Sequence, residues 1–134
     1  MLTPATDPAP EPFDLWEDHG TVRLVLRSTA LIDAWVMKDI LRALRRSDPL
    51  GGAPVVVQQE HLVRMTPDAK FFLARVCTND KRPVAYLAED LPERIQGEFF
   101  LRFHKPVFPF RLFNTLEEAQ YWCASYCGLA RTLP

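Results

Sequence analysis

The run Pro54-Val55-Val56-Val57 constrains the fold more than any other feature of this sequence. It is short, uniformly apolar and rich in β-branched residues, which is the pattern of a strand that is covered on both faces. The run from Pro83 to Ala88 (PVAYLA) has the same character. Two such runs predict the central strands of a parallel sheet, because a strand with one solvated face would alternate apolar and polar residues.

The other strand signals lie near the two ends of the chain. Apolar and polar residues alternate over 13–15 and 22–26, on either side of Asp18-His19-Gly20, which predicts a β-hairpin with one wet face. Residues 110–113 (FRLF) predict a last strand. With the helical segments between them, the order is β-β-α-β-α-β-α-β-α. This order predicts an α/β fold with a mainly parallel sheet of four to five strands, an opening hairpin, about four helices and right-handed crossovers.

The first predicted helix has Ser28 or Thr29 as its cap and Arg45-Arg46 at its carboxyl end, where cations meet the negative pole of the helix dipole. Residues 48–52 (DPLGG) stop it. Its expected buried stripe is Leu31, Ile32, Trp35, Val36, Ile40, Leu41 and Leu44.

Three further helices follow from local start signals and apolar spacing. Thr66-Pro67-Asp68 combines a hydroxyl cap, a proline at the first helical position and an acid in the first turn. The third helix is predicted over Pro92 to Phe103, and Thr115-Leu116-Glu117-Glu118 opens the fourth. The second helix is expected to bury Phe71, Phe72, Leu73, Val76 and Cys77.

The chain of 134 residues has the usual length of one domain, and its 48% hydrophobic content supports a core without covalent staples. Residues 1–12 hold four of the twelve prolines together with small and acidic residues. Such a segment cannot bury apolar surface, so we expect a disordered, proline-rich tail over 1–12 and a single domain over 13–134.

Charge and hydropathy exclude several classes of partner. Sixteen basic and seventeen acidic residues leave a formal net charge of −1, which predicts no nucleic-acid partner. No run of about 18 apolar residues exists, so we expect no membrane span. The first residues lack the basic and apolar regions of a signal peptide, which favours a cytoplasmic location.

The cysteines do not predict a disulfide framework, since there are three of them. Cys123 and Cys127 are four residues apart on one predicted helix and so share a face. With Cys77 and a histidine they would make a zinc site, but no Cys-x-x-Cys pair supports it, and core packing is the preferred interpretation. We therefore predict no metal and no cofactor.

Two segments carry a resemblance to a known family. One is MTPDAKFFLA, from Met65 to Ala74, and the other is GEFFLRFHKPVFPFRLFNTLEEAQYW, from Gly97 to Trp122. Together with the leading hairpin and the alternating β/α units, they resemble the STAS/SpoIIAA-like (anti-sigma-factor-antagonist-like) superfamily, above all its small uncharacterised bacterial members. The resemblance extends over roughly residues 13–127.

This resemblance implies a compact switch or interaction domain with a SpoIIAA-like fold. Classical members of the superfamily are phosphorylated on a serine at the start of the helix that follows the third strand. In this sequence Thr66 is the nearest hydroxyl, and Pro67 occupies the expected acceptor position. We therefore expect Thr66 to cap a helix rather than to accept a phosphate.

The densest group of cationic and aromatic residues is the candidate binding site. It comprises Arg102, His104, Lys105, Phe108 and Arg111. Such a cluster is suited to an anionic ligand or an acidic partner, while the alternative is a solvated loop that leads into an edge strand. Prolines within the segment restrict the loop and hold its side chains in fewer arrangements.

Six of the nine phenylalanines fall within residues 99–113. Most are expected in the core, and the remainder would form an apolar pocket or a dimer face. No glycine-rich phosphate loop, nucleophile elbow or metal-ligand motif is present, so we predict no enzymatic activity. The sequence thus predicts a non-catalytic regulatory or protein-interaction module that acts through a protein partner or as a homodimer. The alternative is a binder of a small apolar or lipid-like ligand through the 99–113 region.

Overall fold

The described part of the protein contains a five-stranded sheet and a short two-stranded sheet. This computed structural model describes residues 11–76 and 82–132, with side chains described for 11–74 and 82–126. In chain order the elements are β1 (Phe13–Asp18), β2 (Thr21–Leu26), β3 (Leu31–Ile32), α1 (Ala34–Ser47), β4 (Val55–Gln59), β5 (Arg64–Met65), α2 (Pro67–Val76), β6 (Val84–Leu87), α3 (Leu91–Phe99), a π-helical segment (Phe100–His104), β7 (Phe110–Phe113) and α4 (Leu116–Thr132).

The predicted sheet and hairpin are confirmed. β1 pairs antiparallel with β2, while β2–β4, β4–β6 and β6–β7 are parallel pairs. Asp18 pairs with Thr21, so His19 and Gly20 form a two-residue turn. Both have positive φ angles, 52° and 85°. Two such residues produce the turn whose twist matches that of the flanking strands, which explains why a glycine stands there.

The start of α1 differs from the prediction. Ser28 and Thr29 do not cap it, since the cap is Asp33, whose Oδ1 accepts a hydrogen bond from the Val36 amide at 2.9 Å. Leu31 and Ile32 instead form β3, which pairs with Arg64 and Met65 far along the chain. Because Leu31 and Ile32 continue the helical spacing of the apolar residues, the prediction started this helix about one turn too early.

The other helix starts agree with the prediction. The Ala69 amide donates to Thr66 Oγ1 at 3.2 Å, which makes Thr66 the cap of α2. The Glu118 amide donates to Thr115 Oγ1 at 3.2 Å and caps α4 in the same way. The predicted third helix is interrupted, because a π-helical segment takes over from α3 after Phe99.

The two faces of the sheet carry different helices. One core packs Val22, Leu24 and Leu26 of β2 against α1 and α2. On the other face, Val56, Ala85 and Leu87 pack against Ala119 and Cys123 of α4. α3 lies against the first face at Gly97, where an added Cβ would meet Leu112 Cδ2 at 2.8 Å. The side chains of β4 and β6 are therefore buried or half-buried on both faces of the sheet, as the valine run predicted.

Three predicted core residues have other positions. Leu31, Trp35 and Phe71 are exposed, so the buried stripes of the first two helices are narrower than predicted. Cys123 is buried as predicted. Residues 1–10, Cys77 and the side chains of Val76 and Cys127, on which further predictions were made, lie outside the described residues.

Candidate functional site

The residues of the predicted cationic cluster lie in different parts of the structure. Arg102 and Arg111 line one cleft of about 470 Å³ at the outer edge of β7, together with Glu98. Lys105 is exposed at the end of the π-helical segment, with a φ of 48°. Phe108 is buried and packs with Ala74 and Phe100, which places it in the core and away from any surface that a partner can reach.

His104 is half-buried and stacks on Phe100, with their ring centroids 5.5 Å apart. Burial, assisted by the charge of Lys70, lowers the pKa of His104. The neutral imidazole is therefore the form that the folded protein favours, and His104 is less suited than its neighbours to hold an anion.

A row of exposed apolar side chains runs along α3 and the π-helical segment. It consists of Leu91, Ile95, Phe99 and Phe103, which are between 47% and 68% exposed. We call it the α3 stripe. Residues four apart share a helix face, and this face lies opposite Gly97, which touches the sheet. The spacing of four is visible in the sequence, but the sequence analysis did not separate these residues from the core phenylalanines.

The aromatic end of the α3 stripe is held in place by its neighbours. The rings of Phe99 and Phe103 stack with their centroids 4.3 Å apart. Lys70 Nζ lies 5.7 Å from the centroid of the Phe99 ring. An exposed aromatic pair with fixed geometry loses little side-chain entropy when it is covered.

A second candidate site lies at the carboxyl ends of the parallel strands. A crevice of about 550 Å³ opens there between the loop after β4 and the start of α3. Next to it, a small apolar cavity of about 70 Å³ lies between the sheet and helices α2 and α3. Gln59 and Gln96 line both spaces. Crevices at this end of a parallel sheet are the usual place for ligands in α/β proteins.

Gln59 is the residue of this site that the sequence analysis missed. It is 9% exposed, and its Oε1 atom has no hydrogen-bond partner among the described residues. Leaving a buried acceptor unpaired costs about 1–3 kcal/mol, so such a group calls for an explanation. The signal in the sequence was a polar side chain at the carboxyl end of a buried strand.

The crevice is lined by three carboxylates, from Glu60, Asp90 and Glu93, together with Arg64 and His61. Burial raises the pKa of Glu93, although the hydrogen bond from the Glu89 amide counteracts the rise. Below the crevice, burial also raises the pKa of the Tyr86 phenol, followed by the influence of Glu93 and Asp90. In both groups burial is the largest cause of the shift, and neighbouring carboxylates add to it.

Thr66 does not belong to the crevice lining. Its hydroxyl caps α2 and contacts the Asp68 carboxylate. Within residues 11–76 and 82–132, no group of three or more His, Cys, Asp or Glu side chains is placed to hold a metal ion. No helix in the same ranges is long and apolar enough to cross a membrane.

Comparisons with known proteins bear on the fold. A family model described as "Domain of unknown function (DUF7793)" matches residues 15–127. The structure is similar to that of an uncharacterised DUF3478-family protein with a SpoIIAA-like fold from Shewanella loihica PV-4, with a TM-score of 0.52. The two chains are 11% identical over 83% of this chain and 91% of the other. None of the curated proteins matches this sequence. The SpoIIAA-like fold predicted from the sequence is thereby confirmed.

Proposed function

The chain belongs to the DUF7793 family, whose description assigns no function, and from that premise we propose that it is a non-catalytic, cytoplasmic protein-interaction module that associates with a second copy of itself. The α3 stripe is the observation that carries this proposal. A SpoIIAA-like fold is consistent with a regulatory or interaction module.

The size of the α3 stripe supports an interface of modest strength. Side chains of this kind present roughly 150–200 Å² each, so a stripe about half exposed offers about 400 Å² of apolar surface per copy. Exposed patches of about 300–600 Å² are often functional. A standard interface needs about 800 Å² per partner, so polar contacts at the rim must supply the remainder. We expect a dimer that dissociates on dilution.

The arrangement of the stripe favours a second copy as the occupant. In an antiparallel pair centred at the level of Gly97, Leu91 faces Phe103 and Ile95 faces Phe99, so the stripe is complementary to itself. A two-fold axis requires such self-complementarity, because the same surface is used by both subunits.

The charges at the two ends of the stripe complement each other in the same arrangement. Glu89 and Asp90 are exposed where α3 begins, and Arg102 and Lys105 are exposed where the π-helical segment ends. Antiparallel pairing brings the acidic end of one copy to the basic end of the other. In this proposal Arg102 and Lys105, which the sequence analysis selected, contact the second copy, and Arg111 borders the interface through the cleft that it shares with Arg102.

The hydrogen bonds of Asp90, Glu93 and Thr66 support a non-catalytic role. Asp90 accepts a hydrogen bond from the Glu93 amide at 3.0 Å, and Glu93 accepts one from the Glu89 amide at 3.0 Å. These two carboxylates thus cap α3. Thr66 caps α2. Side chains that an enzyme would use as acid, base or nucleophile are here engaged in holding helix ends.

Sedimentation velocity over a concentration series tests the proposal. The wild-type chain should shift from monomer towards dimer as the concentration rises, and Ile95→Lys should stay monomeric. Tyr121→Lys is the matched control, since Tyr121 is 76% exposed on α4, away from the stripe. A wild-type chain that remains monomeric throughout, or an equal loss of dimer in both variants, would refute the proposal.

A charge exchange tests the antiparallel orientation. Arg102→Glu and Glu89→Arg should each weaken the dimer, because each places like charges opposite one another. The double variant should restore part of the affinity. Added salt should weaken the wild-type dimer through screening. If the double variant dimerises no better than either single variant, the two copies do not pair in this orientation.

A further inference from the structure

The outer face of α1 is basic, although the whole chain has a formal net charge of −1. Four cationic side chains occupy it, and their spacing of three or four residues places them on one side of the helix. They are Lys38, Arg42, Arg45 and Arg46. The opposite side of α1 is buried in the core. Salt screens charges that lie more than about 10 Å away, so a partner at this face meets its positive charge and not the average of the chain.

Nearby acids neutralise only part of this charge. Arg42 pairs at 2.8 Å with Asp39, the one acidic residue of α1. Among the described residues, no carboxylate lies within salt-bridge distance of Lys38, Arg45 or Arg46. The side chains of Arg45 and Arg46 are also exposed, so an external anion can reach them.

Exposed apolar side chains stand at both ends of this basic row. Trp35 is 72% exposed in the first turn of α1, and Leu50 is 98% exposed just after the helix ends. Lys38 Nζ lies 4.7 Å from the centroid of the Trp35 ring and 5.4 Å from that of Phe72, so it links the indole to α2. We call the basic row together with Trp35 and Leu50 the α1 face.

Leu50 projects from a turn that the structure holds in place. The Gly51 amide donates to the Asp48 carbonyl at 3.1 Å, so Pro49 and Leu50 are the two central residues of the turn. The Asp48 carboxylate in turn accepts the Ala53 amide at 2.9 Å. Packing within the domain does not use the Leu50 side chain, whereas an external apolar phase would bury it.

From these observations we propose that the α1 face binds the surface of a membrane that contains anionic lipids. Its cations contact the anionic headgroups, Trp35 lies at the level of the headgroups, and Leu50 enters the edge of the hydrocarbon. A nucleic acid or an acidic protein segment would also attract the cations. Leu50 favours the membrane, because phosphates and carboxylates offer an aliphatic side chain no apolar surface. No residue of the α1 face belongs to the α3 stripe, so this binding does not depend on self-association.

Co-sedimentation of the full chain with lipid vesicles tests the proposal. The chain should pellet with vesicles of phosphatidylcholine and phosphatidylserine in equal parts, and it should stay in solution with phosphatidylcholine alone. Molar salt should release it, because the screening length falls to about 3 Å at 1 M. Equal binding to both kinds of vesicle, or binding to neither, would overturn the proposal.

Charge variants locate the contact. Arg46→Gln should weaken binding to the mixed vesicles about fivefold, and adding Arg45→Gln should weaken it about fivefold again. Arg27→Gln is the matched control. Arg27 pairs with Asp14, which points away from α1 because its neighbours in β1, at 13 and 15, pack into the core beneath that helix. If Arg27→Gln weakens binding as much as Arg46→Gln does, α1 is not the contact.

Two further variants distinguish a membrane from an acidic macromolecule, with poly-glutamate and single-stranded RNA as the competing partners. Leu50→Ser should weaken vesicle binding about tenfold, because the hydrocarbon contact is lost. Vesicles should shift the tryptophan emission to shorter wavelength, and Trp35→Phe should lack most of that shift. Unchanged vesicle binding in Leu50→Ser, or tighter binding of the wild type to either polymer than to the vesicles, would show that the α1 face serves an acidic macromolecule instead.

Discussion

Replacing Arg82 by methionine should remove a large part of the stability of this domain. The Arg82 guanidinium donates to the Ala53 carbonyl at 2.6 Å and pairs with Asp48 Oδ2 at 3.0 Å. The side chains of Arg82 and Asp48 are only 6% and 18% exposed. This ion pair fastens the loop between α1 and β4 to the segment that enters β6.

The expected loss in free energy of unfolding is about 3 kcal/mol. Breaking a buried ion pair costs about 3–5 kcal/mol, because the remaining charge stays buried without its partner. The lower end applies here, since Asp48 keeps some contact with water and still accepts the Ala53 amide at 2.9 Å. Methionine retains the volume of the arginine stem, so the added cost of a cavity is small.

Equilibrium unfolding in urea measures this loss by linear extrapolation. Arg42→Met is the matched control, because Arg42 pairs with Asp39 at 2.8 Å on the exposed side of α1, where both side chains are more than half exposed. A surface pair of this kind contributes about 0.2–0.5 kcal/mol. If Arg82→Met lowers the free energy of unfolding no more than Arg42→Met does, burial does not strengthen the Arg82–Asp48 ion pair as we infer.

Three further predictions concern single positions. Thr66→Ala should lower the free energy of unfolding in urea by about 1 kcal/mol, because the cap of α2 is lost, whereas Thr66→Asp should stay near wild type. Phosphate found on Thr66 in the host would contradict a purely capping role. Burial lowers the pKa of His104 in the folded state, so the unfolded chain binds the proton more readily. The free energy of unfolding should therefore fall as the pH drops below about 6.5. Urea midpoints measured at several pH values should depend less on pH in His104→Gln than in the wild type. Gly97→Val should destabilise the domain by about 1–3 kcal/mol, because its Cβ would meet Leu112 Cδ2 at 2.8 Å. A thermal midpoint equal to that of the wild type would show that α3 moves away from the sheet without cost.

The elements that the amino-acid sequence predicts correctly are those whose signals are local. Valine-rich strands, the Asp18-His19-Gly20 turn and the cap at Thr66 depend on side-chain type, backbone preference and hydrogen bonds within a few residues. Each of these preferences is expressed wherever the segment is placed. The mainly parallel sheet with its opening hairpin followed from them, because strands that alternate with helices are joined by right-handed crossovers.

Which side chains are covered depends on tertiary packing. Phe100 and Phe108 are buried while Phe99 and Phe103 are exposed, although all four lie in one aromatic segment. Composition does not distinguish them, because burial depends on whether another element packs over that face.

Three further features also depend on tertiary packing. They are the pairing of β3 with β5, the ion pair of Arg82 with Asp48 and the position of Gln59 at the crevice. Each joins segments that are distant in sequence, and none has a local preference strong enough to reveal it. Long-range contacts of this kind form only when the helices pack on the sheet, so they are visible in the tertiary structure and not in the sequence.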